Sequence, residues 1–195
     1  MTFDPGSHEY SEDDGIPIPS VTQIHKAAGV VDDRWFTAES RDKGTAAHKL
    51  CERYAAGHRE DKHGRPLRDL PYVNAFAQWI DDYHPWAIDT ECMIYHRLNG
   101  IAYAGTFDLR ALIDGKRVLI DLKTGAKSKT HAVQLAAYSM ARIVDKSGRV
   151  TDNFVNPSKC ATLYLKADAK YIYDPIPGSR LVEAIREFKE YLCVK

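Results

Sequence analysis

The segment Val118-Leu119-Ile120-Asp121-Leu122-Lys123-Thr124-Gly125 ends an apolar run with an acid and a lysine two residues apart. Residues i and i+2 of a strand share a face, so Asp121 and Lys123 point the same way. The rest of the run belongs in a protein interior, where unpaired charge is expensive. Either an ordinary ion pair or a divalent cation with a phosphate beside it would compensate. A second acid, Asp108, lies in Tyr-Ala-Gly-Thr-Phe-Asp-Leu-Arg-Ala-Leu-Ile (103–113). There the spacing sets Phe107, Leu109, Ala111 and Ile113 on one strand face and Asp108 on the other. Asp108 precedes the Asp114-Gly115 pair by six residues and Asp121 follows it by six. A hairpin turning on that pair sets the two carboxylates roughly opposite each other. Two carboxylates and an ammonium on one patch of sheet suit phosphodiester hydrolysis. Carboxylate oxygens are the ligands Mg²⁺ or Mn²⁺ prefer, and such an ion acidifies a bound water and offsets phosphoryl charge. A lysine, a compact point charge, positions the attacking water or neutralises the phosphate.

Other residues offer similar chemistry. His48 stands one helical turn before Glu52, so both can face one side. Glu91 opens a strand-like stretch, Ile-Asp-Thr-Glu-Cys-Met-Ile-Tyr (88–95), as a site acid or a solvated one. Gln134 and Tyr138 are i and i+4 on an alanine-rich helix, so they share a face. The loop from Thr124 through Lys127 and Lys129 adds two lysines. From Gly115 to Lys129 there are five basic residues against one acid, a local excess that can follow a phosphate backbone or simply meet solvent.

Hairpin and helix signals supply the elements that must position these groups. Ile88–Tyr95, Ile101–Ile113 and Arg117–Leu122 are rich in β-branched and aromatic residues, and Asn99-Gly100 and Asp114-Gly115 separate them. They predict a three-strand antiparallel meander. Ser20 followed by Gln23 has the form of a capping box, which predicts a short helix over 21–28 stopped by Gly29. Thr37–Ala56 reads as a longer helix ending at Gly57, with Gly44 an awkward interior residue. The polar stretch 58–69 reads as a surface loop, and Pro71–Tyr83 as a helix with apolar residues at 73, 76, 79, 80 and 83. Thr130–Val144 reads as a helix, Cys160–Leu165 and Tyr171–Ile176 as strands, and Ser179–Leu192 as a closing helix. Residues 1–19 hold five acids, no Lys or Arg, and several Gly and Pro, the pattern of a poorly ordered or draped arm. The remainder, 20–195, reads as a single domain of mixed α/β (α+β) class.

Composition narrows the class further. The chain of 195 residues is 44% hydrophobic and 28% charged with zero formal net charge, so no global basic field announces a nucleic acid. Four scattered cysteines without a CxxC pair fit reduced thiols better than a disulfide frame or a zinc site. Membrane-length apolar runs and a signal-peptide core are both missing, and we expect a cytoplasmic protein with no membrane partner.

In order and spacing, Asp108, then Ile120-Asp-Leu-Lys-Thr-Gly125, then Gln134-Leu-Ala-Ala-Tyr138 resembles the PD-(D/E)XK nuclease superfamily, specifically its RecB-like branch. That branch has a GT(I/F)D strand, a hydrophobic strand ending D-x-K-T-G, and a helix with QxxxY. Arg41-Asp-Lys-Gly44-Thr-Ala-Ala-His48 is similar to the branch's RGxxxH helix, although a lysine precedes the glycine here. Pro19-Ser-Val-Thr-Gln-Ile24 resembles the family's start. The resemblance implies a restriction-endonuclease-like core, a central mixed β-sheet with its antiparallel meander flanked by helices. It implies that Asp108 and Asp121 bind Mg²⁺ or Mn²⁺ with His48 and the Leu122 carbonyl, that Lys123 is catalytic, and that Glu91 lies near the metals. Gln134 and Tyr138 would support the site and touch the DNA backbone, beside Thr124, Lys127 and Lys129. The implied activity is a DNA exonuclease of recombination or repair, of phage or bacterial type, in which a single-strand annealing or helicase partner and a homo-oligomer are both conceivable. The alternatives are an endonuclease, a helicase-partnered nuclease subunit, an RNA-directed nuclease, or a non-catalytic DNA-binding module. Only Cys193 lies near the C-terminus and no GxxxxGK[ST] loop occurs, so neither an iron–sulfur cluster nor a nucleotide is expected.

Overall fold

Two tight turns organise the centre of the chain. At Asn99-Gly100 and Asp114-Gly115 both residues of each pair have positive φ (51° and 83°; 50° and 71°), the backbone of a two-residue hairpin turn. They join β4 (Trp86–Leu98), β5 (Ile101–Ile113) and β6 (Lys116–Lys123) into the expected meander. A computed structural model of the chain describes residues 1–4, 9–30 and 37–193.

Four more strands extend this meander into a seven-stranded mixed sheet: β7 (Arg142–Val144), β8 (Val150–Phe154), β9 (Lys159–Leu165) and β10 (Tyr171–Pro175). The order is β10-β9-β6-β5-β4-β7-β8, and β6 and β9 are its one parallel pair. Helices cover it: α1 (Val21–Ala27), α2 (Ala38–Ala55), α3 (Pro71–Tyr83), α4 (Thr130–Ser139) and α5 (Gly178–Tyr191). Ser20 caps α1 in the reciprocal arrangement with Gln23 that the sequence predicts. One core gathers Phe107, Leu119, Leu135 and Phe188 beneath α1, α4 and α5. The other gathers Phe76, Trp79, Leu109 and Ile120 beneath α2 and α3.

One expectation changes. The helix predicted over Thr130–Val144 stops at Ser139, and the chain turns into β7, which pairs Ile143 with Ile94 of β4. Ile143 and Val144 are β-branched, and strand pairing between β4 and β8 satisfies their backbone better than a continued helix does. The acidic N-terminal segment, read from the sequence as a poorly ordered or draped arm, carries a small antiparallel sheet of β1 (Thr2–Asp4), β2 (Glu9–Ser11) and β3 (Pro17–Ile18). Its Tyr10 and Ile18 are buried against Ala104 and Val144, and Glu12 pairs with Arg97 of β4.

His25 of α1 is a titratable group inside the first core. It is 4% exposed, stands edge-on to the rings of Phe188 and Tyr191, and its Nε2 has no partner among the described residues. Burial, with Lys123 adding to it, lowers its pKa from 6.5 to about 4. Between those values the unfolded chain takes up a proton here that the folded chain refuses. Stability therefore falls as pH drops from 6.5 toward 4, by up to about 3 kcal/mol from this residue. Denaturant midpoints measured from pH 7 to 4 should decline more steeply for wild type than for His25→Leu; equal slopes would refute this.

Candidate metal centre and its lysine

The β5–β6 ladder runs from the turn up to Leu109↔Ile120 and stops there. One step further its register would pair Asp108 with Asp121, as the six-residue spacing predicts. Instead the Asp108 carboxylate takes the place of a ladder partner: its Oδ2 accepts the Leu122 N–H at 2.7 Å. The sheet forks at this point. The sequence suggests one face for Phe107, Leu109, Ala111 and Ile113, and this is where the structure departs from it. Phe107 packs beneath α4 and α5, whereas Leu109 and Ile113 pack beneath α2 and α3. Alternation therefore breaks at Asp108.

The neighbouring strand breaks at the same level. On β4, Cys92 and Ile94 belong to the α4–α5 core and Ile88 to the α2–α3 core. Between them stands Glu91, flanked by the pairs Thr90↔Leu109 and Cys92↔Phe107 and therefore level with Asp108. Glu91 has φ +49°, a left-handed conformation that costs a non-glycine residue about 1–2 kcal/mol. The reversal turns a strand acid toward Asp108. Helix α2 then delivers His48 from above. A Cβ at Gly44 would lie 3.4 Å from Thr124 Oγ1, ordinary van der Waals contact, so α2 passes next to the loop after β6.

One ligand atom from each of His48, Glu91 and Asp108 lies within 4.8 Å of the others. His48 Nδ1 is 3.4 Å from Asp108 Oδ1. Beside this trio Lys123 Nζ donates to Asp121 Oδ1 at 2.7 Å. Asp121 is not one of the three; it is 2% exposed, and its Oδ2 is buried without a hydrogen-bond partner among the described residues. The charges are strongly interdependent. Burial, and next the charge of Asp108, pushes Glu91 up to about 7. Burial raises Asp121 to about 6 although Lys123 opposes it. Burial also acts on Asp108, but His48, Lys123 and the Leu122 N–H outweigh it and hold its pKa below the usual value. For His48 and Lys123 burial is likewise outweighed by the facing carboxylates, and both pKa values are raised.

Residues with supporting roles in the sequence reading fall at different distances from this centre. Gln134 Nε2 donates to Tyr138 Oη at 3.0 Å. The Tyr138 ring lies against Gly105, where a Cβ would be 2.8 Å from Cε1, so this glycine admits the ring. Asp108 and Asp121 both act on the Tyr138 hydroxyl, whose pKa burial raises most. Lys127 turns away to Asp174, 2.8 Å from it, and Lys129 is exposed at the N-cap of α4. Glu52 adds negative charge facing Glu91. The side chain of Arg41 lies outside the described residues. Sequence reasoning missed the contact between His131 Nδ1 and Tyr164 Oη, 3.0 Å apart, because no local spacing links them.

A donor set of two carboxylates and one imidazole nitrogen can hold a metal ion. The crowded carboxylates of Glu91 and Asp108 are groups that a cation would relieve.

No protein-family model matches the chain, and no curated protein matches it. Among solved structures it is similar to one described as "Crystal structure of SSO0001", with 16% identity and a TM-score of 0.38 over 93% of this chain and 78% of that chain. Among the described residues no helix is long and apolar enough to cross a membrane.

Proposed function

We propose that the chain is a metal-dependent deoxyribonuclease with a restriction-endonuclease-like core of the RecB-like type, acting as an exonuclease in recombination or repair in the cytoplasm. The observation that carries this reading is the meeting of His48, Glu91 and Asp108 within 4.8 Å, beside the buried Asp121–Lys123 pair. A carboxylate–lysine pair on its own is ordinary. A pair set in a sheet fork, next to a histidine and two further acids, is costly to assemble unless it is used.

In this reading His48, Glu91 and Asp108 hold a divalent ion, with Asp121 and the Leu122 carbonyl available from the next strand. When bound, the ion supplies a Lewis acid for the phosphate and acidifies a water molecule. The chain does the rest by positioning. Asp108 is fixed at both oxygens, by the Leu122 N–H and by His48. Asp121 holds the Lys123 ammonium at the site edge, where 24% of its side chain is exposed and can meet the scissile phosphate and the incoming water. Tyr138, braced by Gln134, buttresses β5 at Gly105.

The test is digestion of end-labelled linear DNA and closed circular DNA with Mn²⁺, with Mg²⁺ and with a chelator. Ion-dependent release of nucleotides from linear ends alone is the expected result. Nicking of circles would make it an endonuclease. The reading fails if neither DNA nor RNA is cut and calorimetry detects no Mn²⁺ binding.

A further inference from the structure

Past Lys123 the parallel strands β6 and β9 end side by side, and Lys123 is in register with Tyr164. Tyr164 is 2% exposed, and its hydroxyl meets His131 in the first turn of α4. Two ammonium groups cover its ring, Lys127 Nζ at 5.6 Å and Lys166 Nζ at 5.5 Å from the centroid. Lys127 also has Asp174 as a counter-ion, whereas Lys166 is half-buried and has no carboxylate partner among the described residues. Its ammonium is therefore not already engaged by a carboxylate and can meet an arriving anion. The metal trio and the Asp121–Lys123 pair use none of these groups.

We infer that Lys166, with Lys127 and the His131–Tyr164 pair, forms a second phosphate subsite that holds the backbone phosphate adjacent to the scissile one. The substrate is accordingly a polynucleotide strand rather than a mononucleotide ester. This rests on reading the metal centre as a phosphodiesterase. Lys166 stands two residues past Tyr164, which is level with Lys123, so the subsite lies beside the Lys123 end of β6. The Tyr164 ring is already covered and leaves no face for a base to stack on, so the subsite grips backbone and imposes no base preference. Lysines, as point charges, suit that role.

The test is fluorescence anisotropy of a labelled single-stranded oligonucleotide without divalent ion, from 50 to 200 mM salt, for wild type, Lys166→Ala and Lys166→Arg. Lys166→Ala is expected to bind about ten-fold more weakly, with the salt slope reduced by about 0.7, while Lys166→Arg restores both. Mn²⁺ affinity and melting temperature should stay unchanged in all three. With Mn²⁺ present, a methylphosphonate at the linkage beside the cleaved one should slow wild type and leave Lys166→Ala no slower. If wild type cuts DNA and Lys166→Ala binds it with wild-type affinity and slope, the subsite is refuted and the nuclease reading stands. If binding depends on Lys166 but nothing is ever cut, the nuclease reading is lost and a phosphate-backbone subsite remains.

Discussion

Asparagine in place of Asp108 is expected to give a folded protein that binds Mn²⁺ at least about 100-fold more weakly and cleaves no DNA above background. The magnitude follows from position. Losing an outer hydrogen-bond partner of a metal ligand alone costs about 10–100-fold in affinity, and Asp108 is the member of the trio that touches both His48 and β6. Asparagine keeps an oxygen for the Leu122 N–H, so the sheet fork retains its closing hydrogen bond and the melting temperature should hold. Isothermal calorimetry with Mn²⁺ and thermal melting separate the two effects. Wild-type affinity in the folded variant would remove Asp108 from the centre.

Lys123→Met is expected to lose activity and stability together, for different reasons. Activity should drop about 10²–10³-fold, the usual cost of deleting one group that stabilises developing charge. Stability should drop by up to about 3–5 kcal/mol, because Asp121 is then a buried carboxyl without its partner and must be protonated or left unpaired. The double variant Lys123→Met/Asp121→Leu separates the two. Exchanging a buried ion pair for apolar side chains of similar volume is often neutral or stabilising, so the double variant should regain the lost stability and remain inactive. Denaturant titration and a single-turnover digestion measure both. Recovered cleavage in the double variant would show that the pair is purely structural.

How legible the site was in the sequence depends on the reach of each signal. Asp121 and Lys123 were placed on one face by their spacing, which allows the 2.7 Å contact between them. The level placement of Asp108 against Asp121 followed from a turn whose two residues both adopt positive φ. By contrast, the local pattern left Glu91 as a site acid or a solvated one, and only the family resemblance set it near the metals. Its entry requires a left-handed residue inside a strand, a conformation that only its packed neighbours could impose. The fork at Asp108 was hidden for the same reason. Strict alternation through Phe107 and Leu109 is the expected pattern, and it is overridden because those two side chains fill different cores.

By itself, the sequence determined the hairpins at Asn99-Gly100 and Asp114-Gly115, the capped start of α1 and the shared face of Asp121 and Lys123. Each depends on interactions within a few residues, where backbone sterics and short-range hydrogen bonds dominate. The tertiary structure alone decided that 142–144 would leave its helix to pair between β4 and β8, that the acidic N-terminal segment would form strands, and how closely His48, Glu91 and Asp108 approach one another. Those outcomes join segments far apart in the chain, and the burial and strand pairing gained there exceed the local preferences they override.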